Sequence, residues 1–114
     1  VGDNMEQISF NDWTKAKLKV GQIISAEEIE GKDKLFLLKV DLGETEHRTI
    51  IAGLKEYYSK EELVNKKVAV LTNLEPKKLA GILSEGMILA GESNEGKVAL
   101  LGLDKNLDAG SDIY

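Results

Sequence analysis

The sequence predicts a mainly all-β fold: a small, partly closed, five-stranded barrel with one short helix between its third and fourth strands and a C-terminal extension. Three observations carry this. Apolar and polar residues alternate in five or six segments rich in β-branched and aliphatic side chains, the period of a strand with one buried face. A single capping box falls between the third and fourth segments. The first segment is long and changes phase midway, so one strand can bend and pair in two places. The 114 residues and 12.5 kDa suit one domain. With 42% apolar but only 5% aromatic residues, aliphatic side chains must fill most of the core.

Taken in order, residues 1–7 read as a tail or linker and residues 8–114 as the domain. Ile8, Phe10 and Trp13 are candidate anchors for a leading segment in which Ser9, Asn11 and Asp12 mark a turn or helix start. In residues 15–30, Leu18, Val20, Ile24 and Ala26 share one parity, whereas Ile23 and Ile29 fall on the other. The phase change after Gly21 indicates a bulge or bend, with two short strands as the alternative. Phe36, Leu38, Val40 and Leu42 then form one face; Leu35, Leu37, Lys39 and Asp41 form the other. Gly43–Glu46 is turn chemistry, and residues 47–52 return as the second arm of a hairpin that Gly53 ends.

Ser59 and Glu62 make the capping box, and Asn65 stops the helix after one or two turns. Val68, Val70, Thr72 and Leu74 alternate in the next strand. Glu75–Lys78, with the only proline, reads as a loop. Residues 82–90 and 97–101 are further strands, separated by a turn at Ser93–Gly96. This set is the five-stranded OB-fold barrel arrangement. A β-sandwich of this length would want more strands.

Composition narrows the function. There is no cysteine and only one histidine, His47, which removes thiolate nucleophiles, iron–sulfur clusters and imidazole-rich metal sites. His47 lies in a turn between Glu46 and Arg48, where an exposed residue is the better reading than a catalytic base. No phosphate-binding glycine loop is present. Paired acids such as Glu61–Glu62 are explained as favourable charges at a helix start. No catalytic residue and no cofactor or metal is therefore expected, and the chain reads as a binding module. No apolar run is long enough to span a bilayer, and Val1–Asn4 carry no basic run leading into an apolar one. The expected setting is cytoplasmic, with no membrane partner.

The chain is acidic overall, at −5, yet its charge is uneven. Residues 1–47 hold six Lys and ten acids, residues 48–78 hold seven Lys+Arg and four acids, and residues 79–114 hold two Lys and six acids. The net values are −4, +3 and −4. In an OB barrel the loop after the fourth strand borders the binding groove. Lys77 and Lys78 would sit there, either facing a polyanion or simply solvated.

Several words become specific together: Asp33-Lys34-Leu35, LKVDLG at 38–43, RTIIAG at 48–53, NLEPKKLAG at 73–81 and SEGMILA at 84–90. In this order and spacing the chain resembles the tRNA-binding OB domain family over roughly residues 8–113. The opening ISFNDWTKAKLKVGQI at 8–23 is most similar to the C-terminal domain or separate β subunit of methionyl-tRNA synthetases. The resemblance implies binding of the outer corner of folded tRNA without sequence specificity. It also implies a homodimer joined partly through C-terminal segments, and a methionyl-tRNA synthetase catalytic chain as a further partner.

The matching RNA-binding positions are Lys34, Asn73, Lys77, Lys78, Ser84 and Met87, with Lys39 added because it should point away from the core. Each has a plainer reading: Lys34 as a solvated loop residue, Asn73 and Ser84 as backbone partners, Met87 as core. Two departures stand out. Glu30-Gly31-Lys32 replaces a frequent His-Pro, and Ala80 replaces a frequent basic residue, which bears on affinity more than on fold. Two rivals share the barrel: a peptide-binding export chaperone and a purely structural dimerisation domain.

Overall fold

The computed structural model describes residues 5–114. Residues 1–4, part of the expected tail, lie outside the described residues. The barrel is built from a 12-residue strand β1 (Leu18–Ile29), followed by β2 (Lys32–Asp41), β3 (Arg48–Ala52) and β4 (Lys67–Leu71). With β7 (Met87–Ile88), they form one antiparallel sheet in the order β3-β2-β1-β4-β7. The sheet curls until β3 lies against β7. The OB-like barrel expected from alternation and from the bent first strand is therefore present.

The bend in β1 has a definite cause. Ile23 pairs with Val40 and Ser25 with Lys39, so Ile24 is an extra residue, a bulge. Its effect is to switch parity: Ile23 before it and Ala26 after it are both buried, and Ile24 turns outward. As far as Gln22 β1 pairs with β4 (Val20 with Ala69); from Gln22 onward, through the bulge, it pairs with β2. Gly21 permits the tight crossing, since a Cβ there would lie 2.7 Å from Val40 Cγ1 and 2.8 Å from Val70 Cγ2. Phe36, Leu38, Val40 and Leu42 all point inward, as their alternation predicts, and pack with Ile50, Leu63, Val68 and Val70.

Two short helices flank the barrel. In α2 (Lys60–Leu63) the Ser59 hydroxyl accepts from Glu62 N while Glu62 accepts from Ser59 N, so both halves of the capping box form. Asn65, at φ 72°, ends it, and Leu63 is fully buried in the core cluster. In α1 (Phe10–Trp13) Ser9 is the N-cap. The anchoring role expected of Ile8, Phe10 and Trp13 is not found within the chain, because all three are exposed.

Two further expectations are corrected. Residues 77–78 are not loop: β5 (Lys77–Leu79) pairs with β6 (Ile82–Ser84) as a separate ribbon. Its two-residue turn is Ala80–Gly81, both at positive φ (54° and 77°), the twist that suits tight hairpins. Nor is 82–90 one strand. Gly86, at φ 154°, breaks it where a side chain would press on Ile50 and the Leu71 carbonyl. Beyond it, β8 (Ala90–Glu92) pairs with β9 (Val98–Leu100). The C-terminal extension returns as β10 (Asp112–Ile113) along the free edge of β1.

Candidate nucleic-acid interface

The β5–β6 ribbon projects between β4 and β7, the place where an OB barrel offers one wall of its groove. It is rooted on β3: Glu85 N donates to the Thr49 carbonyl at 2.8 Å, and the Glu85 carboxylate accepts from Thr49 N at 3.1 Å. Neighbouring strand residues face opposite ways. Lys77 therefore shares the barrel-facing side with Leu79, Ile82 and its cross-strand partner Ser84, whereas Lys78 lies with Leu83 on the outer side.

The cations of the basic block at 48–78 divide into those engaged within the protein, by carboxylates or by neutral groups, and those that are not. Arg48 is held by Glu44 at 2.7 Å. Lys55 and Lys60 share Glu28, at 2.6 and 3.6 Å. Lys67 donates to Asn106 Oδ1 and the Leu107 carbonyl, and Lys66 sits 5.9 Å over the Tyr58 ring. The hydrogen bond from Lys55, more than any other influence, holds the Glu28 carboxyl below its ordinary pKa, and Arg48 does the same for Glu44. Among the described residues, Lys34, Lys39, Lys77 and Lys78 make no ion pair with a carboxylate.

The remaining sequence-derived positions fall in different settings. Lys34 is exposed at the β1–β2 end of the barrel, where its carbonyl accepts from Lys55 N. Lys39 is outward, as expected, and donates to Thr49 Oγ1 at 2.6 Å. Met87 is 43% exposed and helps line a cleft of about 340 Å³ with Ile51, Leu54, Tyr57 and Ile88.

Ser84 is only 5% exposed; its Oγ accepts from Ile51 N at 3.0 Å. Asn73 spends both ends of its amide on the leading segment, accepting from Lys17 N at 2.8 Å and donating to the Lys15 carbonyl at 2.6 Å. These two side chains fasten the ribbon and its root. The arrangement thus joins a cationic ribbon to an outward lysine across β3, with Lys34 and the Met87 cleft beside Gly53 and Leu54.

A second surface lies on the other side of β1. Phe10, Trp13, Leu18, Ile113 and Tyr114 line an apolar cleft of about 360 Å³, and Met5 and Ile8 are exposed nearby in sequence. Among the described residues, no group of three or more His, Cys, Asp or Glu is placed to hold a metal, and no helix is long and apolar enough to cross a membrane.

Comparison with known proteins fits this geometry. A protein-family model described as "Putative tRNA binding domain" matches residues 18–112. The methionine–tRNA ligase of Methanocaldococcus jannaschii is 52% identical over 112 residues, covering 98% of this chain and 17% of the relative. That of Pyrococcus horikoshii is 50% identical over 109 residues, covering 96% and 15%. The chain thus spans 17% or less of the length of these two curated relatives. The crystal structure of a MetRS related protein from Pyrococcus horikoshii matches with a TM-score of 0.89 at 36% identity, over 96% of this chain and all (100%) of that one. Chaperone CsaA of Bacillus anthracis matches at 0.85 and 28% identity, with the same coverage of 96% and 100%.

Proposed function

The chain belongs to the tRNA-binding domain family, and from that premise we propose that residues 8–114 are a non-catalytic module that grips folded tRNA for a methionyl-tRNA synthetase, as its C-terminal domain or β subunit, in the cytoplasm. The observation that carries this reading is the β5–β6 ribbon, whose two lysines make no ion pair among the described residues, while Arg48, Lys55 and Lys60 are bound to carboxylates. Folded tRNA is a dense array of phosphates with a rigid corner recognisable by shape. Lys77, on the barrel side, and Lys78, on the outer side, reach phosphates on either side of the ribbon. Lys39 and Lys34 extend the contact along the outer surface. Met87 offers an adaptable apolar contact to a ribose or base. Ser84 and Asn73 serve binding by holding the ribbon. The apolar face of α1 and β10 joins two copies, and two barrels on one tRNA gain affinity through effective concentration.

A gel-shift titration with bulk tRNA at two salt concentrations tests the reading. Wild type binds, and binds markedly less well at the higher salt. Lys77→Glu/Lys78→Glu weakens binding by on the order of a hundredfold, each reversal replacing an attraction with a repulsion. Unchanged binding by that variant overturns the proposed site. The likeness to chaperone CsaA, together with the apolar cleft beside Met87, favours one second reading, capture of extended apolar peptides. That reading predicts peptide binding almost indifferent to salt.

A further inference from the structure

Arg48 carries a burden that its place in the basic block hides. Its guanidinium uses four hydrogen bonds within the protein. Nε and Nη2 donate to the two oxygens of Glu44, at 2.9 and 2.7 Å. Nη1 donates to the Thr72 carbonyl at 2.6 Å and to the Glu85 carbonyl at 3.1 Å. Thr72 and Glu85 are the two roots of the segment that contains the lysine ribbon: one follows β4 and the other follows β6. A single nitrogen therefore ties both ends of that segment to the start of β3.

We infer that Arg48 is the positioning residue for tRNA binding: it fixes the β5–β6 ribbon against β3 and so sets where Lys77 and Lys78 stand, without itself touching RNA. Several observations converge. Glu44 offsets the charge, and the hydrogen bonds that Arg48 donates to it raise the Arg48 pKa. The planar guanidinium can serve a carboxylate and two carbonyls at once, which a lysine ammonium on a flexible stem cannot reproduce. The other root contacts run through the same residues: Thr72 Oγ1 donates to the Lys17 carbonyl, and Glu85 is bonded to Thr49. Without Arg48 two carbonyls lose charge-assisted donors, and the ribbon, held on β3 only by the Glu85–Thr49 and Ser84–Ile51 bonds, is looser at its root. The lysines then pay an ordering cost on binding.

The inference rests on the tRNA-binding reading, so its test has one arm with RNA and one without. In the first, tRNA affinity is measured for wild type, Arg48→Gln, Lys77→Ala/Lys78→Ala and the combined triple variant. Arg48→Gln is expected to weaken binding about tenfold in the wild-type background, the size of one lost charge-assisted contact. Within the double-lysine variant the same change is expected to cost less than about twofold, because the groups it positions are gone. Arg48→Lys should not rescue.

Equal losses in both backgrounds, or rescue by lysine, overturn the inference and mark Arg48 as a direct charge contact. If the double-lysine variant binds normally, the tRNA site itself is wrong. The second arm is hydrogen exchange on free protein. Arg48→Gln, and more mildly Glu44→Gln, which leaves both carbonyl bonds intact, should speed exchange across residues 77–84 while the amides of Leu38 and Val40 stay protected. Unchanged exchange at 77–84 overturns the inference whatever the RNA result; faster exchange there with no tRNA binding by wild type keeps the anchoring of the ribbon by Arg48 and overturns its role in tRNA binding.

Discussion

Ser84 and Asn73 show what a single residue's identity does and does not convey. Their place in family words makes them candidates for RNA binding, and their hydrogen bonds show the plainer use, as backbone partners. A short polar residue beside a strand end has equivalent chemistry whether it meets a phosphate or an amide. Only the fold, which brings Ile51 and Lys17 to them, reveals the partner. The anchoring use of Arg48 is hidden for the same reason: the two carbonyls it holds lie 24 and 37 positions away. Gly21 is the opposite case, legible because a glycine at a change of phase marks a bend. Gly21→Ala must push a methyl into Val40 and Val70. The expected destabilisation is about 1–3 kcal/mol, read as a lower urea midpoint with an unchanged slope.

At the scale of elements, regular alternation transmitted well and short segments poorly. The inward set of Phe36, Leu38, Val40 and Leu42 and the Ser59 cap follow from local periodicity and side-chain chemistry. Lys77 and Lys78 read as loop, and β6 as part of one strand over 82–90, because three-residue strands after Pro76 show too little alternation to register, and Ala80 lacks the usual turn signature. The C-terminal strand β10 depends on long-range pairing. Gly110 N donates to Val20 O, Ser111 O accepts from Val20 N, and Lys19 pairs with Asp112 at 2.9 Å.

That pair has a pH signature. The hydrogen bond from Lys19 is the main influence holding the Asp112 carboxyl below its ordinary pKa of 3.8. A depressed carboxyl pKa stabilises the docked strand above the unfolded value and ceases to do so as pH falls through the folded one. Acidification below about pH 4 should therefore lower the protection factors at residues 110–113 in wild type, exchange being compared with the intrinsic rate at the same pH. Asp112→Asn should show faster exchange already at neutral pH and a flatter response to acid.

On the scale of the whole molecule, two faces share one barrel. The apolar face of α1 and β10 is the proposed contact between copies. Analytical ultracentrifugation should find wild type as a dimer, whereas Phe10→Glu/Trp13→Glu should raise the dissociation constant by at least about a hundredfold, two aromatic anchors being lost. A monomeric wild type at micromolar concentration would contradict that assignment. The opposite resource is charge. An acidic protein can hold a polyanion only if a few cations stay unpaired and grouped. Residue counting located the basic block, but pairing across the fold decides which of its members remain available.

The most direct test of that claim is the slope of log affinity for folded tRNA against log salt, compared between wild type and Lys77→Ala/Lys78→Ala. If both lysines neutralise phosphates, the slope becomes shallower by about 1.4–1.8, two contacts at roughly 0.7–0.9 each. An identical slope in the two proteins would contradict the account.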